Sequence, residues 1–228
     1  MSSFTDNEFG EIVVRKSKLS RNIRLSIAPN GTLRVSMPRF APLFAAKRFV
    51  NSSRNEIRTM LTSSQNTYFV DGMHVGKSHS IHIRESTSLK VKIIQQIIDV
   101  AKPDSLNVAH NNVQAAIREC VIKALRKEAK AYLPKRLAYF ADKYEYDYTR
   151  VQFSHASSRW GSCSSSGTIS LNIALMKLSF ELIDYVLLHE LAHTIEMNHS
   201  EKFWEHLERT CPGYKDAKKA LKHESPTI

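Results

Sequence analysis

The stretch that decides the fold of this chain is Ser179-Phe-Glu-Leu-Ile-Asp-Tyr-Val-Leu-Leu-His-Glu-Leu-Ala-His-Thr-Ile-Glu-Met197. Its apolar residues recur at helical spacing, which indicates a largely buried helix. Ser179 is a good N-cap, and Glu181 places a negative charge in the first turn, where the helix dipole favours it. The sequence therefore predicts one helix over residues 179–197.

Within this segment, His189-Glu190-Leu-Ala-His193 carries the chemistry. The two histidines are four positions apart and share one face of a helix, so both imidazoles can bind one Zn²⁺ ion. Glu190 is rotated about 100° from His189 and can reach a water on that metal. This is the H-E-x-x-H arrangement of zinc hydrolases, with one zinc ion as the predicted cofactor and Glu190 as the predicted general base.

A third metal ligand is predicted just beyond this helix. His199 follows His193 by six positions, between Asn198 and Ser200. Asn198 can end the helix in a left-handed conformation and Ser200 can cap the next helix, which leaves His199 at the corner. Three imidazoles and one water form the open tetrahedral site of a catalytic zinc ion. Glu196 is the competing third ligand, or a residue that supports the ligands.

A β-hairpin is predicted before the helix, with strands over 159–163 and 168–172 joined by a loop. One of its strands offers an edge to which an extended peptide can add through main-chain hydrogen bonds. Arg159 is a candidate for binding a carboxylate or phosphate, and Asn172 for orienting a ligand or a loop. Tyr185 is a further candidate substrate residue, as a donor to the oxyanion. Maintenance of the fold is the competing role for Arg159 and Asn172. His155 and Tyr214 are the other candidate oxyanion donors.

The composition describes a basic globular protein. The chain has 228 residues and a formal net charge of +11. Residues 1–66 hold 11 basic and 4 acidic side chains, whereas residues 151–228 hold 8 and 9. The sequence shows no membrane span and no signal sequence, so we expect a cytoplasmic protein without a membrane partner. Its three cysteines are widely spaced and indicate buried thiols.

The basic charge is concentrated in residues 12–36. Basic and apolar residues alternate there, which predicts half-buried antiparallel strands, and Asn30-Gly31 predicts a hairpin turn between two of them. The basic side chains of such a ribbon share its solvent face and can attract DNA or another polyanion. A merely solvated strand face is the competing interpretation. The basic residues are Arg15, Lys16, Lys18, Arg21, Arg24 and Arg34.

The remaining elements alternate between helix and strand. We expect a helix from Pro42 to about Ser64, short and mostly antiparallel strands over 68–101, and a long helix from Asn111 or Asn112 to about Asp142. Pro134 should kink or split the long helix. A boundary near residue 104 divides a basic, β-rich domain with one helix, 1–104, from a second domain, 105–228. The fold class is α+β. The histidines of the strand region, His74, His79 and His82, are expected at the surface.

The sequence resembles the YgjP-like metallopeptidase family and is similar to the WLM and SprT (Spartan) metalloproteases. The resemblance implies a zincin-like catalytic domain, with the active-site helix beside a small antiparallel sheet, a metal on His189, His193 and His199, and a catalytic Glu190. Metzincins place glycine where this chain has Glu196, so their glycine turn is not carried over. The motifs that carry the resemblance are Ser158-Arg-Trp-Gly-Ser-Cys-Ser164, Gly167 to Asn172, Tyr185, His189-Glu-Leu-Ala-His193, Asn198-His-Ser200, Phe203-Trp204 and Cys211-Pro-Gly-Tyr214.

Together these patterns predict a zinc-dependent hydrolase, and peptides or proteins are the expected substrates. A metal-dependent nucleotide phosphohydrolase is the alternative within enzymes, although Gly72-Met-His-Val-Gly-Lys-Ser78 has too few residues between its glycines for a phosphate-binding loop. A DNA-associated protease of the crosslink-repair kind, or a binding module recruited through residues 12–36, is the further alternative.

Overall fold

The computed structural model of the chain describes residues 2–27, 32–65 and 68–228. Its elements are mixed α and β, as the sequence predicts, and they group into two compact units. Residues 1–69 and 107–115 form the first unit, and residues 70–106 and 116–228 form the second. The predicted division at residue 104 stays a prediction. Within the described ranges, no helix has the length and apolar character needed to cross a membrane.

The first unit contains a four-stranded sheet in the order β1-β2-β4-β3, made of β1 (Ser2–Asp6), β2 (Gly10–Ser17), β3 (Arg24–Ile27) and β4 (Leu33–Pro38). The central pair, β2 and β4, is parallel, with Val14 opposite Val35. The expectation of antiparallel strands is wrong for this pair, because alternation shows which face is buried and not the direction of the neighbour. The predicted turn at Asn30-Gly31 lies outside the described residues.

Two helices, α1 (Leu43–Ser52) and α2 (Arg54–Gln65), pack on this sheet. The prediction of a single helix from Pro42 to Ser64 is wrong, since the backbone at Ser53 leaves helical geometry with φ −105° and ψ 18°. The Ser53 N–H still donates to the carbonyl oxygen of Phe49, so the break is a local bend that preserves the hydrogen bond. The core of this unit consists of Ile12, Val14, Leu33, Val35, Met37, Ala46, Val50 and Ile57.

The second unit begins with another mixed sheet in the order β5-β6-β8-β7, made of β5 (His74–Val75), β6 (His79–Glu85), β7 (Lys90–Ile94) and β8 (Ile97–Lys102). Its central strands β6 and β8 are parallel, with Ile81 opposite Ile98. The predictions of short strands and of mostly antiparallel pairing are confirmed, since β5–β6 and β7–β8 are antiparallel and, among the pairs of these four described strands, only the central pair is parallel. Both Ile81 and Ile98 are buried, so the centre of the sheet forms part of the core.

The long helix α3 spans Asn111–Tyr144 and contains Pro134. The expected split does not occur. Proline inside a helix costs about 3 kcal/mol, and burial of a leucine side chain contributes about 1.5–3 kcal/mol. Leu133 and Leu137 are both fully buried beside the proline. Their burial offsets the lost hydrogen bond and keeps the helix continuous.

A buried carboxylate on α3 organises the loop before β6. Glu128 accepts hydrogen bonds from the N–H groups of Lys77 (2.7 Å) and Ser78 (3.0 Å), and its Oε1 lies 2.6 Å from His79 Nδ1. His79 is 4% exposed, so the expectation of a surface histidine is wrong for this residue. Because Glu128 occupies the N–H groups of the Gly76-Lys77-Ser78 segment, those groups do not form a phosphate cradle.

The third sheet is made of β9 (Arg150–Ser154), β10 (Gly161–Cys163) and β11 (Thr168–Asn172), in the order β10-β11-β9. The predicted hairpin of β10 and β11 is confirmed. The sheet is mixed and not antiparallel, because β9 pairs with β11 in parallel. A 3-10 helix (Ile173–Lys177) follows, and then the helices α4 (Phe180–Ala192), α5 (Glu201–Thr210) and α6 (Tyr214–Leu221).

Two contacts hold α4 in place within the second unit. Arg136 on α3 forms a bidentate ion pair with Asp184, with N–O distances of 2.8 and 2.6 Å. Lys77 donates to the carbonyl oxygen of Leu178, just before the helix begins, and its ammonium lies 4.4 Å from the centre of the Phe180 ring. The helix is therefore fixed at its first turn and again in its middle.

Candidate metal and catalytic site

Helix α4 presents the predicted motif from a buried position. Ser179 caps it by accepting from the N–H of Leu182, as predicted. The helix ends earlier than predicted, at Ala192, and His193 is its C-cap. Its apolar residues are buried, among them Leu187, Leu188 and Leu191, so the sequence around the histidines is that of a core helix. This burial holds the backbone of His189, Glu190 and His193 rigidly.

The three predicted histidine ligands converge. His189, His193 and His199 each offer one ring nitrogen, and these nitrogens lie within 4.8 Å of one another. The Nε2 atoms of His189 and His199 are 3.0 Å apart. Two nitrogens that each lie about 2.0–2.1 Å from one tetrahedral ion are about 3.3 Å from each other. The group therefore has the spacing of a metal site, and Glu196 does not belong to it.

The segment after α4 orients the second and third histidines. The Nδ1 atom of His193 lies 3.0 Å from the carbonyl oxygen of Glu196, which directs the other ring nitrogen toward the cluster. Glu196 thus supports a candidate ligand through its backbone. Ser200 caps α5 as predicted, by accepting from Phe203 N–H. Asn198 is not among the described residues with positive φ, so its expected left-handed conformation is wrong.

One aromatic side chain contacts all three imidazoles. Phe203 is fully buried, and its ring centroid is 5.0, 4.6 and 4.8 Å from those of His189, His193 and His199. Trp204 stacks on His199 with centroids 5.4 Å apart. The first turn of α5 therefore fixes the side-chain directions of all three histidines.

Burial favours the neutral form of His189 and His199, which is the form that binds a metal. Desolvation, aided by the neighbouring His193 and His199, lowers the pKa of His189 to about 3. Desolvation also lowers the pKa of His199 below its ordinary value. Each of these imidazoles is available as a metal ligand at neutral pH without losing a proton.

Glu190 lies behind the histidines with its carboxylate in a nearly closed space. It is 5% exposed, and burial raises its pKa to about 8, while the charge of Arg159 acts in the opposite direction. Gly161 on β10 packs directly against it, since a Cβ atom at Gly161 would lie 2.5 Å from Glu190 Oε1. A buried carboxyl group with a raised pKa beside three metal-binding side chains is typical of a general base.

Two buried polar atoms in this site have no hydrogen-bond partner among the described residues, His189 Nδ1 and Glu190 Oε2. Unpartnered buried polar atoms cost free energy and are uncommon in folded proteins, except at functional sites. A water held near Glu190 Oε2 would satisfy that atom. The spacing of the three imidazoles and the unpartnered carboxylate oxygen both fit a divalent metal with an associated water.

The family model of the YgjP-like metallopeptidase domain matches residues 21–224. This chain belongs to the YgjP-like metallopeptidase family. Membership makes it a metal-dependent peptidase that acts on protein or peptide substrates, and the three histidines can hold the divalent metal that the family implies. No curated protein sequence matches the chain.

Two solved structures resemble part of this YgjP-like chain. One is the metallopeptidase zymogen abylysin of Pyrococcus abyssi, with 28% identity, coverage of 40% of this chain and 92% of that chain, and a TM-score of 0.36. The other is the zymogen jannalysin of Methanocaldococcus jannaschii, with 21% identity, coverage of 40% and 91%, and a TM-score of 0.34. With similarities this low, the family assignment depends on the sequence match alone.

The three candidate substrate residues of the YgjP-like chain have different surroundings. Asn172 is fully buried, and its amide donates to the carbonyl oxygens of Ala156 (2.6 Å) and Arg159 (2.8 Å), which favours its role in orienting the loop over a role in binding substrate. Arg159 is exposed. Tyr185 is 4% exposed, with its ring centroid 5.8 Å from that of His189. Their roles toward substrate stay predictions.

A cleft of about 260 Å³ opens beside His193 in this YgjP-like site. Its walls are partly polar and partly apolar, and they come from the loop before β9, the hairpin loop after β10 and the turn after α4. Cys163, at the end of β10, is half-buried, and burial raises the pKa of its thiol. The thiol therefore stays protonated at neutral pH and is a poor nucleophile.

Sequence reasoning missed two residues that shape this site, Gly161 and Phe203. A glycine inside a strand often marks a close approach of another group, and that signal was present in Arg159-Trp-Gly-Ser-Cys163. Phe203 lies four positions after His199, which is the spacing at which two side chains on one helix face contact each other. Neither pattern identifies the residues that Gly161 and Phe203 contact in the site, because those contacts come from another element of the fold.

Proposed function

We propose that this protein is a zinc-dependent peptidase of zincin type, in which His189, His193 and His199 hold the ion and Glu190 is the general base. The observation that carries the proposal is the convergence of three imidazoles, with one ring nitrogen from each within 4.8 Å, beside a buried carboxyl group. Nitrogen ligands in a set of three, with room for a water, suit zinc in a catalytic site. Structural zinc sites are usually closed by four protein ligands, and His189, His193 and His199 supply three.

When bound, a zinc ion supplies Lewis acidity, which lowers the pKa of a water toward about 7 and polarises the scissile carbonyl. Glu190 accepts the proton of the attacking water and returns it to the leaving amine. Its apolar surroundings favour the protonated form and make it a competent acid in that second step. A cation near the carboxylate favours the ionised form and makes it a base in the first step.

The edge strand β10 can align an extended peptide along α4. In its antiparallel pairing with β11, the N–H of Asn172 donates to the carbonyl oxygen of Trp160 and the N–H of Ser164 donates to that of Thr168. Because the hydrogen-bonding direction alternates along a strand, the N–H and C=O groups of Gly161 and Cys163 point away from β11. A substrate backbone can add at this side by main-chain hydrogen bonds.

Tyr185 and Arg159 are the proposed donors to the oxyanion. Burial raises the pKa of Tyr185 to about 12, so its hydroxyl keeps its proton at neutral pH and can donate it in a hydrogen bond. Arg159 brings positive charge near Glu190 from the segment just before β10, the strand that would align the substrate. Loss of one oxyanion donor costs about 100- to 1000-fold in kcat. We expect Tyr185→Phe and Arg159→Gln to lower kcat more than they raise KM.

The test is the cleavage of quenched fluorescent peptides and of an unfolded protein by wild type and by Glu190→Gln. We expect the zinc content to stay at one ion per chain and kcat to fall by more than about 1000-fold, because the variant keeps the ligands and loses the proton acceptor. Nucleoside triphosphates serve as the alternative substrates. Peptide cleavage by Glu190→Gln at the wild-type rate would exclude Glu190 as the base, and phosphate release without peptide cleavage would favour the nucleotide hydrolase.

A further inference from the structure

The sheet of the first unit has an outer face that does not pack on the core, and three arginines lie there on neighbouring strands beside one serine. Alternation along β2, β3 and β4 turns Ile12, Val14, Leu33 and Val35 inward and leaves Arg15, Arg24, Arg34 and Ser36 outward. Ser36 is opposite Arg15 on one side and opposite Arg24 on the other. We call these four residues the arginine face.

The spacing within the arginine face follows from the register. Arg34 lies two positions before Ser36 on β4, which makes it a diagonal neighbour of both Arg15 and Arg24, at about 7–8 Å. Arg15 and Arg24 lie two strands apart, at about 10 Å. The register therefore places the three arginines on one face within about 10 Å of one another, beside Ser36. Guanidinium groups bind phosphate oxygens through paired N–H donors.

These three positive charges have one acidic neighbour on the outer face, Glu11, which is a diagonal neighbour of Arg34 as Arg15 is. Among the described residues none of the three arginines forms an ion pair, and the acidic side chains of β1 and its turn are used elsewhere. Arg54 on α2 binds Asp6 and Glu8 at 2.8 Å each, and Arg58 binds Glu8 at 2.6 Å. Three positive charges about 7–10 Å apart on one face repel one another. An external anion would relieve this repulsion.

Two fully exposed apolar side chains stand at the end of the same sheet. Leu19 is 93% exposed and Phe40 is 94% exposed. Because β2 and β4 are parallel with Ser17 opposite Pro38, the two residues leave the sheet at the same end, which is the end nearest Arg15 and Ser36. Exposed Lys18 and Arg39 precede them directly in the sequence. We call Leu19 and Phe40 the apolar tip.

We propose that the arginine face and the apolar tip form a binding surface for single-stranded nucleic acid, with phosphates on Arg15, Arg24 and Arg34 and a base stacked on Phe40. A positively charged path that ends at an aromatic ring is how proteins bind single strands without sequence preference. An anionic membrane would contact the apolar tip and the cations beside it, and the arginine face would have no ligand. One flexible polyanion contacts both features, so nucleic acid is the partner that the observations favour.

The test uses fluorescence anisotropy with fluorescein-labelled 20-nucleotide DNA and RNA of the same sequence, at several salt concentrations. The test variant is Arg15→Gln, Arg24→Gln and Arg34→Gln combined, and the matched control is Lys90→Gln, Lys127→Gln and Lys130→Gln, which removes the same charge from exposed positions of the second unit. We expect the test variant to weaken binding at least tenfold and to reduce the slope of log K against log salt by about 2, since each phosphate contact on a single strand contributes about 0.7. The control should weaken binding less than threefold.

Phe40→Ala is the second variant, and it isolates stacking from charge. We expect it to weaken binding about tenfold with the salt slope unchanged. Equal weakening by the two triple variants, no effect of Phe40→Ala, or binding to phosphatidylserine vesicles in place of the oligonucleotides would overturn the proposal. Cleavage of a short free peptide should be the same for all these variants and wild type, so the outcome is independent of the proposed zinc peptidase activity.

Discussion

The carboxylate of Glu190 occupies the space that a side chain at Gly161 would fill. A Cβ atom at Gly161 would lie 2.5 Å from Oε1 and 2.7 Å from Cγ and Cδ of Glu190, which is closer than atoms in contact can approach. Gly161 does not have positive φ, so its backbone would accept any residue. The glycine is required by the contact with Glu190, and the edge strand and the proposed base hold each other in position.

Gly161→Ala should therefore lower activity by displacing Glu190. We expect kcat for peptide cleavage to fall by about 100-fold or more while the bound metal is retained, because a displacement of 1 Å at a reacting group can cost that much. The measurement is steady-state kinetics together with metal analysis. Gly72→Ala is the matched control: its φ is +74° and nothing lies within 4 Å of the new Cβ, so it tests backbone strain alone. Equal losses of kcat in the two variants would contradict the role of the contact.

The buried carboxyl of Glu190 should make the metal-free protein less stable as the pH rises. Its pKa is about 8 in the folded protein against an ordinary value of 4.5, so the unfolded chain releases this proton at lower pH than the folded one. Between these values stability falls with pH, by at most about 5 kcal/mol. After chelation, thermal unfolding of Glu190→Gln and wild type should give a difference in Tm that grows in favour of the variant from pH 5 to pH 9.

The contribution of His189 has the opposite sign and does not disturb that comparison. Its pKa is lowered to about 3, so protonation of the unfolded chain reduces stability as the pH falls through its ordinary value of 6.5. Wild type and Glu190→Gln both carry His189, and its effect cancels in their difference. A difference in Tm that is constant from pH 5 to pH 9 would show that Glu190 is not desolvated in solution.

Substitution of His199 should weaken metal binding strongly, whereas substitution of Glu196 should have little effect on it. His199→Ala removes one of the three converging nitrogens, and we expect zinc affinity to fall by at least about 100-fold in competition with a chelator. Glu196→Gln should keep affinity within about threefold, because Glu196 supports His193 through its backbone carbonyl, which the substitution preserves. The opposite ranking would make Glu196 the third ligand.

Glu128 should be important for stability and have no part in chemistry. Its carboxylate accepts from Lys77 N–H at 2.7 Å, Ser78 N–H at 3.0 Å and Ser78 Oγ at 2.8 Å. Glu128→Gln places an amide donor where at least one of these donors points, so we expect the free energy of unfolding to fall by about 2–3 kcal/mol. Glu119→Gln, an exposed position of the same helix, should change it by less than about 0.5 kcal/mol. Chemical denaturation measures both, and equal values would contradict this role.

Local patterns were sufficient for the parts of the site that lie within one helix turn. The spacing of His189 and His193 predicted their shared face, and the caps Ser179 and Ser200 were predicted from residue type and confirmed. Their success has a physical basis, since cap and i, i+4 geometry depend only on the nearest backbone. His199 was predicted from its place between two helices.

Relations between distant segments were beyond the same reasoning. The parallel pairs β2–β4, β6–β8 and β9–β11 each join strands that are not consecutive in the sequence. The alternation of side chains shows which face of a strand is buried, and it carries no information on whether the neighbouring strand is parallel or antiparallel. His79 looked like a surface residue because its partner Glu128 is 49 positions away. Continuity of α3 through Pro134 depends on the burial of its neighbours, which a local rule for proline leaves out.

The ring of Phe203 has a consequence for how the site acquires its metal. Because this fully buried ring contacts all three imidazoles, the hydrophobic core has already restricted their rotamers. The ligand side chains lose their conformational entropy when the chain folds, so this loss does not weaken metal binding. A metal ion can then dissociate and bind again while the chain stays folded. The fraction of sites that hold a metal therefore depends on the metal concentration in the cell more than on the folding state of the protein.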